Sequence, residues 1–185
     1  DKTPEIIEHL RPIHPQLQYI RFSRNFGHQA ALKAGIDHAR GTAVISMDAD
    51  LQHPPQLIIE MIEHWIRGIE IVYTQRKPDK SLGWFKKLSS RWFYKILRTI
   101  SDVHIEEGTA DFRLIDRKVA DIIKMQNDPF LFIRGLIPWM GFKQHKLEYE
   151  PAPRLHGTSK YTLRKMTAFA VNGITGFSIK PLRVA

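Results

Sequence analysis

Asp48-Ala49-Asp50-Leu51-Gln52-His53-Pro54-Pro55 is the stretch of this sequence best equipped for chemistry. Its carboxylates stand at i and i+2, directly after the apolar run Thr42-Ala43-Val44-Ile45-Ser46-Met47. Two carboxylates placed just past a strand end can both turn toward one hard cation. Mg²⁺ or Mn²⁺ prefers such oxygen ligands and usually completes its shell with substrate phosphate oxygens. The same residues also suit a turn and a helix start, where Asp is common as a cap. The elements around the motif decide between these readings.

Residues 4–10 read as a short helix, with Thr3 as N-cap and Pro4 at its first position. LQYIRF, residues 17–22, alternates and reads as a strand. Asn25-Phe26-Gly27 is a turn, and residues 28–39 have small and apolar residues at helical spacing. TAVISM, residues 42–47, reads as a buried parallel strand. Pro54-Pro55 opens a helix over 56–67 with Gly68 at its end, and IEIVYT, residues 69–74, is a further strand. Helix and strand alternate, which predicts an α/β fold with a mainly parallel central sheet. Ligands of such sheets lie beyond the carboxyl ends of the strands, where the Asp48 motif stands.

Past residue 75 the character changes. The chain has 185 residues and a formal charge of +9. Residues 1–75 carry 7 Lys+Arg against 9 Asp+Glu, whereas residues 76–185 carry 21 against 10. A basic half joined to a half with an acidic motif suits an enzyme that works on phosphates near a surface. With no cysteine, disulfide frameworks, thiolate metal sites and cysteine nucleophiles are excluded. No run of 18 apolar residues is present, so neither a membrane-spanning helix nor a signal peptide is expected in this stretch. The length fits one domain, 1–185, divided into a nucleotide and metal part (1–75) and an acceptor and membrane-interface part (76–185).

WFKKLSSRWFYKILRTI, residues 84–100, sets Phe85, Leu88, Trp92 and Ile96 on one stripe among Lys86, Lys87, Arg91, Lys95 and Arg98. A basic amphipathic helix with Trp and Phe suits a membrane interface. Packing of that stripe on the sheet has the same periodicity. Residues 110–115 read as a strand and 117–125 as a helix, 130–140 are apolar and compatible with helix, and 161–174 form a second amphipathic stretch.

The run SRNFGHQAALKAGIDHARGTAVISMDADLQHPP closely resembles the family 2 glycosyltransferases that act on polyprenyl phosphates, the dolichol-phosphate mannosyltransferase and bactoprenol glucosyltransferase type. The likeness continues through ADFRLIDRKV, RGLIPWMGFKQ and RLHGTSKYTLRKM, in order along nearly the whole chain. It implies a GT-A-like nucleotide-sugar-binding domain and a hexosyltransferase that uses Mg²⁺ or Mn²⁺. Its partners would be a nucleotide diphosphate sugar, a polyprenyl phosphate and the membrane surface, with a homo-oligomer possible and no nucleic acid.

What the resemblance implies for single residues follows the motifs. Asp48, Asp50 and Gln52 match the metal and nucleotide motif, with Asp50 as first choice for direct ligand and Asp48 nearer the ribose or the groups around the metal. His53 would stand beside that motif rather than bind the ion. Arg76, Arg91 and Arg154 match phosphate-binding arginines, a role that suits the planar guanidinium fork. Ser159 and Lys160 lie in a Gly-x-Ser-Lys-Tyr-like loop suited to phosphate. Arg24 and Asn25 match a pair beside the nucleotide, and a plain turn role is equally open.

Asp111 matches the proposed catalytic aspartate. The acceptor is a phosphate monoester whose second pKa is about 6, so it is already ionised near neutrality and barely needs a base. Asp111 then has three readings: base, a group that positions the acceptor or metal, or a holder of Arg113.

Family members begin with a further strand and continue past a segment like Pro181-Leu182-Arg183 into transmembrane helices. This sequence is therefore expected to lack its first strand–helix unit and to lack those helices. The intact protein is expected at the cytoplasmic face of a membrane, the inner one if bacterial. Two rival readings share some of these features. A family 2 enzyme with a soluble acceptor shares the motif, and a non-enzymatic basic module for nucleic acid or anionic membrane shares the charge but leaves the Asp48 motif unexplained.

Overall fold

One sheet of four strands, ordered β1-β3-β2-β4, organises the computed structural model, which describes residues 2–77, 109–128 and 131–152. The strands are β1 (Ala43–Ser46), β2 (Ile71–Arg76), β3 (Thr109–Asp116) and β4 (Gln144–Tyr149). β3 lies antiparallel between β1 and β2, and β4 pairs parallel to β2. β1, β2 and β4 therefore point one way, with β3 inserted against them. The fold is α/β as expected, but the described sheet is mixed rather than mainly parallel. β1, read as a buried parallel strand, is a half-buried edge strand of the described sheet paired antiparallel to β3, because alternation and apolar content do not encode strand direction.

The described helices are α1 (Thr3–Leu10), α2 (His28–His38), α3 (Leu57–Ile66), α4 (Arg117–Met125) and α5 (Ile133–Trp139). Alternation along β3 assigns the two faces of the sheet. Ala110, Phe112 and Leu114 join Met61, Val72, Leu147 and Tyr149 in a core under α3. Ile115 faces the other way, into a core with Ile36, Val119, Ile123, Ile133 and Ile137 from α2, α4 and α5. Asp111 and Arg113 alternate with the first set, so they share the face of α2 and α5.

Three further expectations shift. Residues 17–22 join no ladder among the described residues, and Ile20 and Phe22 are 42% and 37% exposed. An alternating segment becomes a strand only beside a partner that takes its hydrogen bonds. Thr3 lies inside α1 rather than capping it, and Lys2 at the cap makes no side-chain bond. β2 starts two residues later than expected because Ile69 N–H still donates to the carbonyl of His64 (3.2 Å), finishing the helix turn that Gly68 reverses at φ 90°. β4 is an element for which the sequence raised no expectation. The amphipathic stretches at 84–100 and 161–174 lie outside the described residues.

Candidate active site

Strand direction gathers the site. The carboxyl ends of β1, β2 and β4 and the amino end of β3 all open on one edge of the sheet. Asp48 and Asp50 follow β1 at that edge, Arg76 ends β2, Tyr149 ends β4 and Asp111 stands near the start of β3. β1 pairs with β3 as far as Ser46↔Arg113, Asp48 and Asp111 each stand two residues from that pair toward the same edge, and the charges of both act on His28. The Ser46 hydroxyl, which donates to the Asp111 carbonyl, ties the two ends together.

The loop that holds the two carboxylates is tightly braced. Asp50 Oδ1 accepts from Gln52 N–H at 3.1 Å, and Leu51 between them has φ 61°. Gln52 is buried and pairs with the chain after β4: its carbonyl accepts from Ala152 N–H (3.2 Å), and its amide nitrogen donates to the Ala152 carbonyl (3.3 Å). His53 is buried beneath the loop, stacked on Phe112 with centroids 5.0 Å apart. Burial pushes the His53 imidazole below its usual pKa, against the pull of Asp48. At the far side, Arg76 Nε donates to the Tyr149 hydroxyl at 3.1 Å. Burial raises the Tyr149 phenol, with the charges of Asp48 and Asp50 adding to it and Arg76 opposing. Asp48, Asp50 and Arg76 thus share one electrostatic neighbourhood.

Asp111 anchors a second group. It is 4% exposed and accepts from Arg113 Nη2 (3.1 Å), Arg134 Nε (3.1 Å), Arg134 Nη2 and His28 Nε2 (2.8 Å). Burial alone would raise its pKa, but the bonds from His28 and Arg134 and the charges of Arg134 and Arg113 hold it well below the usual carboxylate range. A carboxylate held so firmly ionised is a poor proton acceptor. Asp111 is in direct contact with Arg113, the holding role among its three readings. Gln29 Oε1 accepts from Ile133 N–H at 3.1 Å, which docks the start of α5, and with it Arg134, against the start of α2.

Arg24 and Asn25 stand in a turn, the alternative role open for them. Arg24 lies over the Phe26 ring at 4.6 Å, and Asn25 Oδ1 accepts from Gly27 N–H at 2.8 Å. The described contacts of both belong to the turn that delivers His28 to Asp111. Arg91, Arg154, Ser159 and Lys160 lie outside the described residues. His28, Arg134 and Tyr149 were not singled out from sequence. Arg134 sits in the RGLIPW run, and its charge amid apolar residues was the available signal.

Among the described residues no group of three His, Cys, Asp or Glu side chains is placed to hold a metal. Mg²⁺ commonly takes one or two carboxylates and fills its shell with phosphate oxygens and water. The Asp48 and Asp50 pair fits that mode, a cation arriving with a diphosphate, and does not fit an all-protein cage.

Residues 1–123 match Glycosyl transferase family 2. This chain belongs to that family. Over its full length it is 48% identical to the uncharacterized glycosyltransferase YkcC of Bacillus subtilis, covering 57% of that protein. It is 40% identical over 184 residues to a prophage bactoprenol glucosyl transferase homolog of Escherichia coli, and 41% to the bactoprenol glucosyl transferase of Shigella phage SfV, covering 60% of each. The chain thus spans somewhat more than half the length of these relatives. Family 2 glycosyltransferases generally use a divalent cation, in keeping with the carboxylate pair. No described helix is long and apolar enough to cross a membrane.

Proposed function

We propose that this family 2 domain transfers a hexose, with inversion, from a UDP-glucose- or GDP-mannose-type donor to a polyprenyl phosphate at the cytoplasmic face of a membrane. The observation that carries the reading is that Asp111, with its two arginines and His28, lies at the edge where Asp48 follows β1, the charges of both carboxylates acting on His28. One edge of the sheet then offers a carboxylate pair for a metal-bound diphosphate beside a cationic group for a second phosphate. The names of the bactoprenol glucosyl transferases, at about two-fifths identity, favour a polyprenyl phosphate as acceptor.

The reaction breaks the bond between the anomeric carbon and the donor's β-phosphate oxygen, and the electron pair leaves with the nucleoside diphosphate. A phosphate oxygen of the lipid bonds to that carbon from the opposite face. Catalysis needs most help where charge grows, on the leaving diphosphate. A divalent cation held by Asp48 and Asp50, with Gln52 alongside, would supply Lewis-acid neutralisation of that charge. Arg76, oriented by Tyr149, offers a guanidinium to the same phosphates. Asp111 keeps Arg113 and Arg134 in place rather than taking a proton, because the acceptor arrives ionised. Arg91, Arg154, Ser159 and Lys160 are assigned to the lipid phosphate, and the basic amphipathic stretches to the membrane surface.

Calorimetric titration of UDP and GDP, with and without Mn²⁺, tests the donor half on wild type and Asp50→Asn. Metal-dependent binding in the wild type, lost in the variant, is the expected result. Full-length protein in membranes should then transfer sugar to polyprenyl phosphate. Nucleotide binding without any transfer to lipid, but with transfer to a soluble acceptor, would refute the lipid assignment.

A further inference from the structure

We propose that His28 is a phosphate-binding residue of the transferase, anchored through Nε2 on Asp111 and presenting Nδ1 to a phosphoryl oxygen of the substrate. The inference deepens the function proposed above and rests on it.

Asp111 is buried, whereas the side chain of His28, which covers it, is 54% exposed. Arg113 is buried behind the same carboxylate, and the side chain of Arg134 is 20% exposed. His28 is therefore the open member of a group that contains two guanidiniums and one carboxylate. Its Nε2 is engaged at 2.8 Å, and no described residue partners Nδ1. A neutral ring that donates from Nε2 has only a lone pair at Nδ1. Protonation turns Nδ1 into a charged donor, and the group then carries an excess of positive charge on its exposed side.

The charged groups around His28 are Asp111 and Arg113 from β3, Arg134 from α5 and Asp48 from the loop after β1. The hydrogen bond to Asp111 raises the pKa of His28, against burial and the charge of Arg134. An arriving phosphate adds a second anion and raises it further, so binding takes up a proton. The phosphoryl oxygen has two possible sources, the donor diphosphate and the prenyl phosphate, and His28 is bonded to Asp111 while feeling the charge of Asp48 at the edge assigned to both.

The test is a proton NMR titration of the His28 Cε1–H, assigned with His28→Gln, alone and with UDP, GDP or geranyl phosphate. The ligand that sits on His28 should raise its apparent pKa by about one unit, equivalent to tenfold in affinity. The amide of His28→Gln still reaches Asp111 but offers nothing at the Nδ1 position. That variant should bind the same ligand about tenfold more weakly near pH 6.5 and about equally near pH 9. Ionisation of the ligand is common to both proteins and cancels in the ratio. A response to the nucleotides alone places the donor diphosphate there, and a response to geranyl phosphate alone places the acceptor. A ligand that binds while His28 does not move, or that binds both proteins equally near pH 6.5, would overturn the proposal. Failure of all three to bind the wild type would refute the transferase reading, and this inference with it.

Discussion

The backbone N–H of Asp48 donates to Nδ1 of His53 at 3.2 Å, which leaves the proton of the neutral ring on Nε2. That nitrogen is buried without a hydrogen-bond partner among the described residues, 3.9 Å from Asp48 Oδ2. The ring thus fixes the backbone of the first motif carboxylate while packing on Phe112 and Tyr149. His53→Ala removes a buried ring and leaves the Asp48 N–H without its acceptor. A loss of about 3 kcal/mol is expected in urea unfolding. His53→Phe, which keeps the stack, should recover part of it. Equal stability of wild type and His53→Ala would show that the ring does not hold the loop.

Asp111→Asn acts through a different term. It keeps the shape but removes the counter-charge of Arg113, which is buried with Nε unpaired among the described residues. Breaking one side of a buried ion pair typically costs about 3–5 kcal/mol. The pH dependence follows from the depressed pKa of Asp111. Because the folded state holds this carboxylate ionised where the unfolded chain would protonate it, its contribution is present above the ordinary value of about 3.9 and lost below it. Wild type should lose stability as the pH falls below about 4, and Asp111→Asn should show a shallower acid limb in denaturation followed by circular dichroism.

Asp116 supports the opposite end of the sheet. It accepts from Trp65 Nε1 at 2.7 Å and caps α4 through Lys118 N–H at 3.0 Å. Asp116→Ala loses both bonds, for an expected cost of about 2 kcal/mol. Trp65→Phe loses only the first, so about half of that cost is expected in the same unfolding assay. Neither change reaches the motif edge, and metal-dependent nucleotide binding should survive both.

Much of this arrangement was legible in the sequence, and the illegible part has a physical cause. The Asp48 motif could be placed at a sheet edge because TAVISM reads as a strand and Pro54-Pro55 as a helix entry. Alternation along TADFRLID is enough to put Asp111 and Arg113 on one face. β4 carried the same signal, with Leu147 and Tyr149 buried between exposed Lys146 and Glu148, and was readable in principle. The direction of β3 was not readable, since side-chain alternation is the same in parallel and antiparallel strands. That direction alone brings Asp111 to the Asp48 edge. The His28–Asp111 bond closes 83 residues of chain, and no local pattern specifies a contact that depends on the whole topology.

Leu51 offers a way to separate the rigidity of the motif from its chemistry. It adopts φ 61° between Asp50 and Gln52, and the residue is 67% exposed. A left-handed backbone costs a non-glycine residue about 1–2 kcal/mol. Leu51→Gly relieves that cost and loses little buried surface, while the extra freedom of glycine in the unfolded chain offsets about half. A net gain of about 0.5–1 kcal/mol is expected by thermal unfolding, against little change for Leu51→Ala, which keeps the strain. The same glycine frees the segment that aims Asp48 and Asp50, so Mn²⁺-dependent binding of UDP or GDP should weaken even as the fold gains stability. A Leu51→Gly variant that is both more stable and equally tight would show that the turn is strained without serving the site.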